Sequence, residues 1–109
     1  MNNATMTDIL ALTDALLEAG WTRGQMVSSR GEYCLLGAIR AAIGELDLEE
    51  PVGYAKAAHR LIAAGLPDPL GTLPSPTWAA ECLMYYNDRS WSSVRVRALV
   101  QEAAQSLIK

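Results

Sequence analysis

The residues with catalytic potential in this chain are two cysteines, one histidine and the pair Asn87-Asp88. Cys34 lies at the predicted amino end of an apolar helix, where the helix dipole can lower the pKa of a thiol and produce a nucleophile. A histidine and an asparagine or aspartate are the partners that such a thiol needs in a hydrolase or transferase. Cys34 and His59 are therefore the candidates for catalysis.

A structural interpretation of these residues is favoured. Free cysteines are commonly buried in cores, and the apolar neighbours of Cys34 and Cys82 fit that habit. No established nucleophile motif surrounds Cys34, and His59 stands between Lys56 and Arg60 on a helix face that we expect to be partly exposed. The sequence leans towards a protein that is not an enzyme and that uses no cofactor.

Patterns typical of metal sites do not occur. His59 has no second histidine or cysteine at the spacing of zinc ligands. Four acids form a short cluster but lack the ligand spacing of a calcium loop: Glu45, Asp47, Glu49 and Glu50. We expect them to lie in a solvated loop before a helix, and we predict no metal site.

The charge balance disfavours nucleic acid as a partner. The formal net charge is −3, and no dense basic run offsets it. Arg89, Arg95 and Arg97 with Trp91 form a small basic cluster, but Arg95 and Arg97 are about 200° apart around a helix and cannot share a face. A nucleic-acid-binding regulator is kept as an alternative function.

An aromatic and polar segment near the carboxyl end is the predicted interaction surface. Aromatic residues and arginine are enriched among the residues that dominate protein interfaces. The predicted surface consists of Tyr85, Tyr86, Asn87, Asp88, Arg89 and Trp91. Asn87-Asp88 has a second interpretation as the cap and turn that end a helix.

The patterns for export and for membrane insertion are missing. The first residues have no basic region followed by an apolar run, so we predict no signal peptide. No apolar stretch reaches the roughly 18 residues that span a bilayer. A cytoplasmic location with reduced cysteines is the expectation.

These residues must be positioned by a mostly α-helical chain, which we expect to be one domain over residues 1–109. Apolar periodicity and capping residues predict a compact bundle of about five helices. They cover residues 7–19, 34–43, 52–64 and 76–87, followed by a closing helix capped by Ser92 with its inner stripe reaching Leu107. Residues 22–33 could form two short strands around a turn, that is, a short β-hairpin. The prolines in 66–74 predict a loop.

Several local expectations follow from this arrangement. Thr7 is the predicted N-cap of the first helix. The second helix is apolar nearly all round and should be central, with Gly44 closing it. Gly37 and its neighbour Ala38 should let another helix approach closely, and Trp91 should pack on Val96 as a hydrophobic staple.

Several of these elements together resemble a known family. They are Gly20-Trp21, Gly24, the run Gly31-Glu32-Tyr33-Cys34-Leu35-Leu36-Gly37-Ala38-Ile39, the alanine-rich middle helix, Asn87-Asp88 and the valine- and leucine-rich closing helix. The chain resembles a family of small proteins of unknown function from actinobacteria and their phages. It departs from that pattern at Tyr86, where the family has tryptophan, and in the proline-rich loop. The resemblance implies an origin and a fold, and it assigns no catalytic residue.

The leading functional hypothesis is a non-enzymatic protein-interaction module, in one form a phage-encoded modulator of a host protein. The alternatives are a small Cys34-dependent hydrolase or transferase and a nucleic-acid-binding regulator. A homodimer through the closing helix is also open, because symmetric dimers are the commonest oligomers.

Overall fold

A computed structural model describes residues 3–48, 50–67 and 76–107. Five helices follow one another: α1 (Asn3–Ala19), α2 (Leu35–Glu45), α3 (Glu50–Ala64), α4 (Pro76–Arg89) and α5 (Ser93–Ser106). Among these described residues there is no strand or sheet. The prediction of a mostly helical bundle of five helices is confirmed. Most of the predicted proline-rich loop lies outside the described residues.

The second helix, α2, is central, as its apolar sequence predicted. It packs against α1, α3 and α4, while α5 packs against α1 and α3. Seven of its eleven residues are buried: Leu35, Leu36, Gly37, Ala38, Ile39, Ala42 and Ile43. A helix with so little polar surface is stable in water only when neighbours cover it on most sides.

The carboxyl end of α2 differs from the prediction, because Gly44 lies inside the helix. The helix continues to Glu45, and Asp47 takes the left-handed conformation with φ of 56°. The Asp47 N–H donates to the Gly44 carbonyl at 3.1 Å, and the Leu48 N–H donates to the Ile43 carbonyl at 3.0 Å. This pair of bonds is a Schellman motif, in which a short acidic side chain replaces the usual glycine.

The amino end of α1 also differs, because Thr7 lies within the helix and is not its N-cap. The helix begins at Asn3, so the turn before Thr7 is helical too. That turn contributes Met6, which is 4% exposed and belongs to the core. Packing of this apolar side chain outweighs the local preference of threonine for a capping position.

The segment between α1 and α2 forms isolated bridges, so the suggested hairpin is wrong. Tyr33 pairs with Trp21 in parallel and with Val27 in antiparallel orientation. A two-stranded hairpin is marginal in water. Here the backbone of Tyr33 pairs with two separate positions, Trp21 and Val27, and no continuous strand pair forms among the described residues. The segment is therefore a loop folded over the amino end of α2.

Close approach at Gly37 occurs, but the approaching element is this loop and not a helix. A Cβ atom on Gly37 would overlap the carbonyl oxygen of Met26. That same carbonyl accepts the Cys34 N–H at 3.1 Å. Glycine is required because the loop backbone lies directly on α2.

Candidate functional site

Cys34 is the N-cap of α2 and belongs to the hydrophobic core. Its Sγ accepts the backbone N–H of Gly37 at 3.3 Å, and the side chain is 2% exposed. The first amides of a helix have no partner within the helix, and a capping side chain satisfies one of them. The buried position predicted for this thiol is present in the structure, and Cys82 is buried as well.

The electrostatics around Cys34 oppose an activated nucleophile. Burial raises the pKa of the Cys34 thiol above its ordinary value, and the charge of Asp88 acts in the same direction. Hydrogen bonds from the Gly37 and Leu36 amides lower the pKa but are outweighed. The protonated thiol is therefore the form that the fold favours.

Cys34 and His59 lie in different surroundings. His59 is exposed on α3, whereas Cys34 is buried and hydrogen-bonded to Met26, Gly37 and Ala38. A cavity of about 40 Å³ touches the thiol, lined by Gly24, Gln25, Met26, Cys34, Met84 and Asp88. Sites for small-molecule substrates usually measure roughly 300 Å³ or more, so this cavity has room for a few water molecules only.

Asn87 is the residue that organises this end of the bundle, and it is completely buried. Its Oδ1 accepts the indole N–H of Trp21 at 2.7 Å and the backbone N–H of Leu35 at 2.9 Å. Its Nδ2 donates to the Thr22 carbonyl at 3.0 Å and to Asp88 Oδ1 at 3.3 Å. All four hydrogen-bonding positions of the amide are used, as a buried amide requires.

Two further contacts attach the loop to the end of α4. Asp88 Oδ1 accepts the Gly24 N–H at 2.9 Å, and the Arg23 guanidinium donates to the Ser90 carbonyl at 3.3 Å. Ser90 itself is buried, and its hydroxyl donates to the Tyr86 carbonyl at 2.8 Å. The turn after α4 is therefore held in one position by side chains that are distant in the sequence.

Outside this anchored turn lies a set of exposed apolar side chains, Tyr85, Trp91 and Val94, together with Arg89. We call these four residues the α4–α5 corner. Trp91 is 86% exposed, Val94 72% and Tyr85 55%. The Arg89 guanidinium lies 4.2 Å from the centre of the Tyr85 ring.

The predicted staple between Trp91 and Val96 is wrong. Val96 is fully buried in the core, while the Trp91 side chain points into solvent. The predicted N-cap of α5, Ser92, is correct by position, but its side chain makes no capping hydrogen bond. The core around Val96 is already closed by other side chains, so the indole remains outside it.

The structure divides the predicted interaction surface into two groups. Asn87 is buried and Tyr86 is half-buried against the core, so these two support the surface from below. Tyr85, Asp88, Arg89 and Trp91 are exposed. Val94 was not among the residues of the predicted surface. Its place three residues after Trp91, in the first turn of the predicted closing helix, was the signal that could have identified it.

The predicted basic cluster loses one member to an ion pair. Arg97 Nε contacts Asp14 Oδ1 at 2.8 Å, and its Nη2 contacts Glu18 Oε2 at 3.2 Å, joining α5 to α1. Arg95 is exposed two residues earlier. The expectation that these two arginines lie on different faces is confirmed.

The described residues lack two features, a metal-binding cluster and a membrane-spanning helix. In the described ranges, no group of three or more histidine, cysteine, aspartate or glutamate side chains could hold a metal ion. No described helix is long and apolar enough to cross a bilayer.

Comparison with known proteins gives one finding. No curated protein and no solved structure shows a significant match to the chain. The sequence profile of the family of unknown function DUF6197 matches residues 1–106, nearly the full length. The chain therefore belongs to this family of unknown function.

Proposed function

We propose that this protein is a non-enzymatic interaction module that binds another protein through the α4–α5 corner. The observation that carries the proposal is the 86% exposure of Trp91 on a turn that buried hydrogen bonds hold in place. Tryptophan, tyrosine and arginine are the residues that most often dominate binding energy at protein interfaces.

The anchoring beneath the corner supports this function. Binding costs less when the contacting side chains are already ordered in the free protein. Asn87 and Ser90 are buried under the corner and bonded to backbone groups, and Arg89 rests on the Tyr85 ring. The side chains that a partner would contact are thus presented by a fixed backbone.

Catalysis by Cys34 is the alternative that the geometry disfavours. The thiol is buried, its pKa is raised, and the neighbouring cavity is small. A nucleophile needs the opposite conditions, namely access and a lowered pKa.

The biological setting is part of the proposal. The resemblance to actinobacterial and phage proteins supports a cytoplasmic chain that acts on a bacterial protein, and in a phage this would be a host protein. A homodimer through the corner or through the closing helix is the competing assembly.

A photo-crosslinking experiment in cells tests the proposal. A benzophenone amino acid is placed at position 94, which leaves Trp91 intact, or at the exposed control position Glu102 on α5. We expect one discrete adduct from position 94 that excess untagged protein suppresses and an untagged Trp91→Ala variant does not. Equal adduct patterns from both positions would reject the corner as a binding surface, and an adduct of twice the chain mass would assign it to a homodimer.

A further inference from the structure

We infer that the partner of the α4–α5 corner is an acidic protein segment that places an aliphatic or aromatic side chain against Trp91. This inference rests on the proposed function and names the chemistry of the partner. It depends on the charges that surround the exposed indole, described below.

Three exposed arginines accompany Trp91. Arg89 precedes it by two residues, and Arg95 follows it in the first turn of α5. Arg23 reaches the same turn from the loop, because its guanidinium donates to the Ser90 carbonyl at 3.3 Å. The chain as a whole is acidic with a net charge of −3, so this concentration of cations is local.

One acid next to the corner offsets only part of this positive charge. Residues 89–101 contain no aspartate or glutamate. Asp88 is the nearest acid along the chain; its Oδ1 accepts the Gly24 and Asn87 N–H groups, and its single negative charge leaves the three arginines in excess. The amino end of α5, where Ser92 gives no side-chain cap, adds a further partial positive charge.

Two of the cations are held in position before a partner arrives. Arg89 lies over the Tyr85 ring at 4.2 Å, and Arg23 lies over the Trp21 ring at 5.9 Å. A guanidinium stacked on an aromatic ring still presents its N–H groups at its edge, in a geometry that suits a carboxylate. Carboxylates on the partner are therefore the complementary groups.

The apolar part of the corner sets the second requirement. Val94 lies three residues after Trp91, and both side chains are mostly exposed. A purely ionic contact would leave this apolar surface in water, whereas an apolar side chain flanked by acids would cover it. The chemistry also favours protein over nucleic acid, since a DNA-binding protein can neutralise roughly 6–10 phosphates, whereas Arg89 in the corner and Arg23 and Arg95 beside it make only three arginines.

Peptide selection tests the inference with the intact protein. A displayed library of random dodecapeptides is selected on wild type and counter-selected on Trp91→Ala. We expect the selected peptides to be enriched in aspartate and glutamate next to an aliphatic or aromatic residue. A synthetic selected peptide should bind Trp91→Ala about tenfold or more weakly, and Arg89→Gln or Arg95→Gln several-fold more weakly.

A matched control removes an equal charge elsewhere. Lys56→Gln changes an exposed cation on α3 and should leave the affinity unchanged. Added salt should weaken peptide binding to wild type more than to Arg89→Gln, because the variant has one fewer charge to screen.

The outcomes separate this inference from the proposed function. Peptides that require Trp91 but show no acidic enrichment would overturn the acidic partner and leave the interaction surface standing. Failure to select any Trp91-dependent peptide would count against both. Oligothymidylate and phosphatidylglycerol vesicles serve as parallel probes, and Trp91-dependent binding of either one without acidic peptides would assign the corner to nucleic acid or to a membrane surface instead.

Discussion

The side-chain oxygen of Asn87 accepts the indole N–H of Trp21 at 2.7 Å across 66 positions of the chain. The same oxygen accepts the Leu35 N–H, the first amide of α2, at 2.9 Å. One buried amide therefore joins the end of α4, the loop and the start of α2. This bond is what fixes the turn that carries the exposed Trp91.

Replacing Asn87 with alanine should destabilise the fold strongly. The Leu35 N–H and the Trp21 indole N–H would both lose their acceptor, and each buried unsatisfied donor costs about 1–3 kcal/mol. We expect Asn87→Ala to lower the free energy of unfolding by roughly 2–4 kcal/mol in urea titrations. Gln105→Ala, which removes an exposed amide on α5, should change it by less than about 0.5 kcal/mol. Equal effects of the two variants would contradict the role of Asn87.

Alanine at two glycines of α2 should have effects of opposite sign. A Cβ on Gly37 would overlap the Met26 carbonyl oxygen, which belongs to rigid backbone, so Gly37→Ala should cost about 1–3 kcal/mol. Gly44 has open space at the same position, and alanine there should stabilise the helix by up to about 1 kcal/mol. Thermal unfolding of both variants measures this contrast. An unchanged melting temperature for Gly37→Ala would show that the loop can move away from α2.

The thiols should resist alkylation in the native protein. Cys34 and Cys82 are both buried, and the raised pKa of Cys34 keeps it protonated at neutral pH. Iodoacetamide labelling followed by mass spectrometry should show both cysteines protected relative to a urea-unfolded control. Rapid labelling of Cys34 alone at neutral pH would reverse the ranking and favour an enzyme.

The raised pKa of Cys34 also predicts a direction for stability against pH. The ordinary pKa of the thiol is 9.0, and the folded state shifts it upward. The contribution of Cys34 is then fully present below pH 9.0 and is lost as the pH rises through the folded-state pKa. The free energy of unfolding of wild type relative to that of Cys34→Ser should therefore fall above that pH. A constant difference across the alkaline range would contradict the shift.

Trp91→Ala should leave the fold intact, whereas Val96→Ala should weaken it. Trp91 is 86% exposed and Val96 is fully buried, so only the second variant opens a cavity. With about 0.8 kcal/mol for each buried methylene and an added cavity cost, Val96→Ala should lose about 2 kcal/mol. Urea titration checks both variants. A similar loss in the free energy of unfolding for Trp91→Ala would indicate that Trp91 packs on Val96 after all. It would remove the basis for an exposed binding surface.

The helical architecture was predictable from local and periodic signals. The apolar run from Leu35 to Ile43 allowed only a covered position, which identified α2 as central. The helix predicted over residues 52–64 ends at Ala64 as predicted, and Gly65 directly after it has φ of 129°. These features depend on residues close together in the chain, so their energetics are visible in the sequence.

The candidate site was only partly predictable. The sequence marked Tyr85, Arg89 and Trp91 as surface residues, and they are exposed. It also placed Asn87 on that surface and packed Trp91 against Val96, and neither holds in the structure. An asparagine near the end of a helix has the same local signature whether it faces water or the core.

The sequence by itself determined which segments are helical, which helix is enclosed, and that the cysteines belong in apolar surroundings. Tertiary structure alone decided the course of the loop over α2, the burial of Asn87 and the exposure of Trp91. The physical reason is that a polar side chain is buried only where partners satisfy it, and three of the four partners of Asn87 lie 52 or more positions away. Once these partners meet, Asn87 is inside the core. The Trp91 indole, four residues later, remains exposed to solvent.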